Sequence, residues 1–287
     1  MKGEAFLTEA RRAFHAAVLD NILSLNEKGI PSNADGSNPS SRILALGIYE
    51  AIGIESRAAR LAGQCAGNKF ETICLDFISS VFLRLRHLRP GSWHCLQITG
   101  RGPSSIARFE QYAHLLDLKK AAEENRELAS IVGSDYIISP DLVVFRDPEE
   151  DAAINRPENL VDHTSGRRTP LRHLNNELPI LHASISCKWT LRSDRAQNAR
   201  TEAINLIKNR KGHLPHVMVV TGEPTPNRIA SLALGTGEID CVYHFALPEM
   251  HEAAKKAGNN DAMELIDIMV EGRRLRDIAD LPLDLAL

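Results

Sequence analysis

A chain of 287 residues, 43% of them hydrophobic and 25% charged, has ample material for a buried core. No apolar stretch approaches the ~20 residues of a membrane span. The start, MKGEAFLTEARRAF, lacks the uninterrupted apolar run of a secretory leader, so a cytoplasmic protein is expected. Five cysteines (Cys65, Cys74, Cys95, Cys187 and Cys241) form no CxxC pair, which argues against a disulfide framework and a structural zinc site. The net charge of −3 is unpromising for a nucleic-acid partner, but the charge is uneven. Residues 186–211 carry seven Lys/Arg against two acids, a local +5 that leaves −8 for the remainder. A polyanion responds to the local field rather than to the total, although a charge run can equally be a solvated helix face.

In chain order, the N-terminal part reads as helices over about 4–27, 41–62, 67–89 and 105–130. In the third, Phe70, Ile73, Cys74, Phe77, Ile78, Val81 and Leu85 recur at helical spacing and mark a buried face. Turn formers punctuate the run at PSNADGSNPSS and GRGPS. From about residue 135 the pattern changes to short, partly β-branched apolar runs: DYIISPDLVVF, LPILHASISCKWTL, HVMVVTG and IDCVYHFAL. A helix over about 195–210 between the second and third suggests a crossover unit, and helices from about 248 close the chain. The charged stretch 147–178 reads as an exposed excursion. An α/β fold is expected, a mixed central sheet flanked by helices with a large helical N-terminal portion, in a single domain over 1–287.

Two constellations carry chemistry. Asp141 follows Pro140 and opens the run Leu-Val-Val-Phe; 45 residues later Ser186-Cys187-Lys188 ends another such run. Residues two apart in an extended chain face the same side, so Ser186 and Lys188 point together and an adjacent strand could bring Asp141 beside them. Glu202 lies fourteen residues beyond Lys188 on the following helix. Glu71 shares a helical face with Cys74 and Ile78, and is aimed toward the core side. Aspartate, lysine and one or two further acids meet the needs of phosphodiester hydrolysis. A hard divalent cation takes one or two carboxylates plus waters, the ion lowers the pKa of a water, and a lysine orients that water and steadies the phosphate. Taken singly each residue has a plainer reading: Asp141 as a turn cap, Lys188 as a surface cation, Glu71 as a partner of the helix dipole.

The second constellation is Arg192-Ser-Asp194-Arg195, immediately after Lys188-Trp-Thr-Leu. Arginine pairs bidentately with O6 and N7 of guanine and a carboxylate accepts from N4 of cytosine, so this cluster suits adjacent G·C pairs in a major groove. An N-capping Asp194 with flanking salt bridges is the plainer alternative.

The run HASISCKWTLRSDRAQNAR (182–200) closely resembles the core of the CCGG-recognising type II restriction endonucleases, within the PD-(D/E)xK nuclease superfamily. SNADGSN (32–38), GSDYIISPD (133–141), NRKGHLPH (209–216), EPTPNRI (223–229), ALGTGEIDCVYHFAL (233–247) and DLPLDLA (280–286) resemble the same enzymes, so the likeness spans nearly the whole chain and fails mainly over 147–178. The resemblance implies a restriction-endonuclease-like fold and a magnesium-dependent enzyme. In it Asp141 is the principal metal ligand, Lys188 the catalytic lysine, Glu71 and Glu202 acids of the metal shell, and the Cys187 carbonyl a direct ligand. Ser186 stands where other nucleases of the superfamily place an acid, and Glu202 replaces that acid from the neighbouring helix. Arg192, Asp194 and Arg195 would read the central CCGG, and Asp35, Gln64 and Arg228 the outer pair. That implies cutting of double-stranded DNA as G/CCGGC with four-base 5′ overhangs, a homotetramer built as a dimer of dimers, and a cognate DNA methyltransferase in the cell. A repair or recombination nuclease without base readout is disfavoured by the arginine cluster. A DNA-binding protein that has lost catalysis is disfavoured by the joint presence of Asp141, Lys188, Glu71 and Glu202. A helical interaction protein would leave the basic window a coincidence.

Overall fold

The computed structural model describes residues 3–53, 63–99, 103–127, 130, 139–235 and 237–287; the side chains of 63, 64, 103, 104 and 193–195 lie outside the described set. The end of the expected second helix, the end of the fourth, and the DYIIS start of the first expected strand therefore lie outside it too.

Three helices come first: α1 (Phe6–Asn21), α2 (Pro39–Ile52) and α3 (Gly63–Phe82). α1 is shorter than the periodicity suggests, and α3 ends at Phe82, earlier than expected. α2 begins where Asn38 accepts from the Ser41 amide and Pro39 takes the first turn, a position that has no amide to lose. α3 buries the expected stripe Phe70, Ile73, Cys74, Phe77, Ile78 and Val81; Leu85 falls in a separate 3₁₀ turn beyond the helix and is half-buried. The expected fourth helix is broken into α4 (Pro103–Ile106), a 3₁₀ turn at Glu110–Tyr112 and α5 (His114–Glu124). The break has a cause. Gln111 turns inward, fully buried, to exchange hydrogen bonds with both the amide and the carbonyl of Leu181, at 3.0 and 2.7 Å.

The sheet has six strands in the order β1 (Trp93–Gln97), β2 (Leu142–Arg146), β3 (Ile180–Lys188), β4 (His216–Thr221), β5 (Cys241–His244) and β6 (Leu275–Asp277). β1, β2 and β3 run antiparallel, whereas β3 to β6 run parallel, so the sheet is mixed as expected. Between β2 and β3 lies the charged excursion, with one short helix, α6 (Asp151–Ile154), clasped by Arg172. The predicted crossover is present: α7 (Ser193–Asn209) carries the chain from β3 to parallel β4. α8 (Pro226–Ala233), α9 (Leu247–Lys256), α10 (Asn260–Glu271) and α11 (Leu281–Asp284) complete the chain. The strands and the N-terminal helices share one continuous apolar core. Among the described residues no helix is long and apolar enough to cross a membrane.

Alternation along β3 positions the site. Leu181, Ala183, Ile185 and Cys187 are buried, while Ser184, Ser186 and Lys188 are only half-buried and share the other face. β2 pairs Leu142 with Ile185, so Asp141, one residue earlier, falls beside Ser186.

Candidate active site

Three donors converge on one oxygen. Asp141 Oδ2 accepts from the Lys188 ammonium at 2.7 Å, from the Cys187 amide at 2.7 Å and from the Ser186 hydroxyl at 3.2 Å. The Asp141 and Lys188 side chains are each 18% exposed, so the pair is accessible but partly desolvated. Burial alone would lower the Lys188 pKa; Asp141 chiefly, with a contribution from Glu202, holds it above the ordinary lysine value, and the ammonium stays charged.

Glu71, from the first half of α3, accepts from Gln97 Nε2 of β1 at 2.8 Å. Burial raises its pKa, and the nearby Asp141 carboxylate raises it further against the opposing pull of Gln97 and Lys188. Glu202, on α7, lines a small cavity with Ser186, Ser184 and Pro140 between that helix and the sheet. Gln97 was not recognisable in the sequence, because its strand was not. The Cys187 thiol is buried, and burial together with Cys74 pushes its pKa well up, so it persists as a neutral thiol and only the main-chain carbonyl of this residue is a plausible oxygen donor.

Among the described residues no three His, Cys, Asp or Glu side chains are gathered closely enough to cage an ion by themselves. The donors that are present are hard oxygens, and two of the carboxylates lie within each other's field. Such a donor set fits a hard divalent cation that takes one or two carboxylates and retains several waters.

The residues expected from the sequence to contact the central bases begin four residues beyond Lys188. Arg192 is the N-cap of α7, and its side chain is exposed; it is thus Arg192 and not Asp194 that occupies the cap position. The side chains of Asp194, Arg195 and Gln64 lie outside the described residues. Arg192 shares a cleft of about 650 Å3 with Asp35, Ser37, Asn227 and Arg228. Arg228 donates to Asp35 Oδ2, and its Nη1 lies 3.7 Å from Glu223 Oε2. Ser37 and then Arg228 hold the Asp35 carboxyl well below the usual carboxylate range. Residues 193 apart in sequence, Asp35 and Arg228, thus meet at one edge of the cleft.

The turn joining the two clusters is tightly held. Trp189 packs between Phe70 and Phe245, with ring centroids 5.1 and 5.4 Å away. Its ring also abuts Gly222, where an added Cβ would come within 2.3 Å of it. The Lys188 carbonyl accepts from the Thr221 hydroxyl at 2.8 Å.

A mixed sheet with an Asp–Lys pair at the ends of two adjacent antiparallel strands, and further carboxylates beside it, defines a nuclease of the restriction-endonuclease-like class. The family model described as NgoMIV restriction enzyme matches residues 14–287, and the type II restriction enzyme NgoMIV of Neisseria gonorrhoeae is 56% identical over 281 residues, 98% of each chain. This chain belongs to the NgoMIV restriction enzyme family, and is a site-specific deoxyribonuclease. Among solved structures, the type IIF restriction endonuclease Bse634I with cognate DNA covers 76% of this chain and 84% of its own at 14% identity and a TM-score of 0.39. A PspGI–substrate DNA complex covers 97% and 91% at 12% identity and a TM-score of 0.26. Similarity that distant adds nothing to the family membership.

Proposed function

We propose that this enzyme cuts double-stranded DNA at GCCGGC, after the first G of each strand, to leave four-base 5′ overhangs, with magnesium as its cofactor. The observation that carries the reading is the meeting of the Lys188 ammonium and the Ser186 hydroxyl on Asp141 Oδ2, at the foot of the turn that leads to Arg192. The continuous core supports a single endonuclease domain over the whole chain.

Asp141 and the Cys187 carbonyl would hold the ion directly, with Glu71 and Glu202 in its water shell. When bound, magnesium lowers the pKa of a water and offsets charge building on the scissile phosphate. Lys188, kept cationic by Asp141, orients the attacking water and stabilises the same phosphate oxygens. Ser186 fixes the rotamer of Asp141 through its hydroxyl. Gln97 holds Glu71 in place, and so keeps its carboxylate on the site side of α3. Arg192, with Asp194 and Arg195 at the start of α7, reads the central CCGG by bidentate contacts to guanine and an acceptor for cytosine N4. Asp35 and Arg228, already paired at the edge of the cleft, read the outer G·C pair together with Gln64.

A palindromic site calls for a two-fold symmetric protein, and the resemblance to CCGG-specific enzymes supports a tetramer of two such dimers and a methyltransferase that protects the host site. The deciding experiment incubates the protein with magnesium and plasmids carrying no, one or two GCCGGC sites. Cutting confined to those sites, and faster on the two-site plasmid, is expected. Cutting without regard to GCCGGC would overturn the specificity, and equal rates on one-site and two-site plasmids would overturn the tetramer.

A further inference from the structure

The loop carrying Asp35, the turn carrying Arg192 and the helix carrying Arg228 are distant in sequence, yet all three are anchored on one short segment after β4. Glu223, fully buried there, is its centre. Its Oε2 accepts from the Leu191 amide at 2.8 Å, one residue before Arg192, and its Oε1 accepts from the Thr225 amide at 3.1 Å, at the N-cap of α8. Its Oε2 also faces Arg228 Nη1 at 3.7 Å. Its own amide donates to Thr221 Oγ1 and its carbonyl accepts from His244 Nε2, both at 3.1 Å, so the residue cannot swing away. Next to it, the Gly222 carbonyl accepts from Asn33 Nδ2 at 2.8 Å, which docks the Asp35 loop on the same segment.

We infer that Glu223 is a positioning residue for base readout, whose carboxylate sets the spacing between the Arg192 turn and the Arg228 helix. The inference rests on the reading of those arginines proposed above. A buried carboxylate is a costly choice for a merely structural role, and burial does raise the pKa of this one. What the carboxylate supplies is two acceptor oxygens aimed at two diverging amides, with charge left over for a guanidinium. Glutamine would satisfy one amide and set its own N–H against the other. Held between Asp35 and Glu223, the Arg228 guanidinium is oriented before DNA arrives, and the tie to Leu191 carries that register to Arg192.

The test compares wild type with Glu223→Gln. Binding is measured without divalent ion on duplexes carrying GCCGGC, ACCGGT or neither, and single-turnover cleavage is measured with magnesium at saturating DNA. The loss of a buried charge-assisted hydrogen bond should weaken GCCGGC binding roughly tenfold to a hundredfold and erode preference over ACCGGT by a similar factor. Binding to unrelated DNA should stay within about twofold, because it depends on phosphate contacts, and the single-turnover rate within about threefold. Retained preference, or equal weakening on all three duplexes, would overturn the assignment; the second outcome is what a general loss of fold would give. A wild-type enzyme that itself does not prefer GCCGGC would instead overturn the reading of the arginines. Should Glu223→Gln fail to fold, Glu223→Asp, which keeps both acceptors one methylene further back, carries the same comparison and the same criteria.

Discussion

Replacing Asp141 with Asn removes one negative charge at the point where three donors meet and changes almost nothing in shape. The Cys187 amide and the Ser186 hydroxyl can still bond the amide oxygen, but the Lys188 ammonium loses its charged acceptor at 2.7 Å. A hydrogen bond to a charged group contributes about 1.5–3 kcal/mol. This pair is 18% exposed on both sides, so the lower part of that range applies, and relief of the Asp141–Glu71 repulsion offsets a little more. A destabilisation of roughly 1 kcal/mol follows, small enough that the variant folds. Catalysis should suffer far more, because the principal ligand for the ion and the anchor of the lysine go together. Single-turnover cleavage in magnesium should fall by at least about a hundredfold to a thousandfold, while binding to GCCGGC without divalent ion persists, since no reading residue is touched. Urea unfolding, gel shift and cleavage of a supercoiled plasmid measure the three quantities. Nicking at the wild-type rate would refute the role of Asp141 as metal ligand, and loss of specific binding would show that the site and the reading cleft are not separable.

Three further outcomes are expected. Arg192→Ala should cost roughly 1–3 kcal/mol of discrimination at one G·C pair; equal weakening on all duplexes in competition gel shifts would make Arg192 a phosphate contact instead. Gly222→Ala would press a methyl group into the Trp189 ring and carbonyl, and should lower stability by about 1–3 kcal/mol in urea and slow cleavage through the adjoining Lys188; wild-type stability would mean the turn yields freely. His244 is buried, with Nδ1 accepting from the Ala246 amide and Nε2 donating to the Glu223 carbonyl, so it must stay neutral; burial above all lowers its pKa to about 4. A depressed histidine stabilises the fold fully above the unfolded value near 6.5 and loses that contribution as pH falls toward 4, roughly 2 kcal/mol between pH 7.5 and 5. The fall in urea midpoint over that interval should shrink in His244→Gln, and an unchanged fall would refute the assignment.

The parts legible in the sequence are those with long, regular patterns. β3, α7 and β4 could be read because a nine-residue apolar-alternating run, a helix of 17 residues and a β-branched strand follow one another. The period of two placed Ser186 and Lys188 on one face, and the sheet brings Asp141 to them. β1 escaped notice because WHCLQ has no β-branched residue, lies at the sheet edge and is only partly buried; β6, at three residues, is shorter than any pattern. α8 is a helix of eight residues, too brief for its periodicity to stand out. Glu223 could not be found at all from sequence, because its partners are main-chain amides, and amides are the same at every position but proline.

The strand that delivers the ammonium of Lys188 runs without interruption into the turn that presents Arg192, and the turn is pinned by an indole abutting a bare α-carbon. On the proposed roles, the catalytic lysine and Arg192, the first of the central-base readers, therefore share one continuous piece of chain, with no seam between them. An altered specificity would have to be built by exchanging side chains on this frame, since lengthening or shortening the turn by a single residue would displace Lys188 along with Arg192.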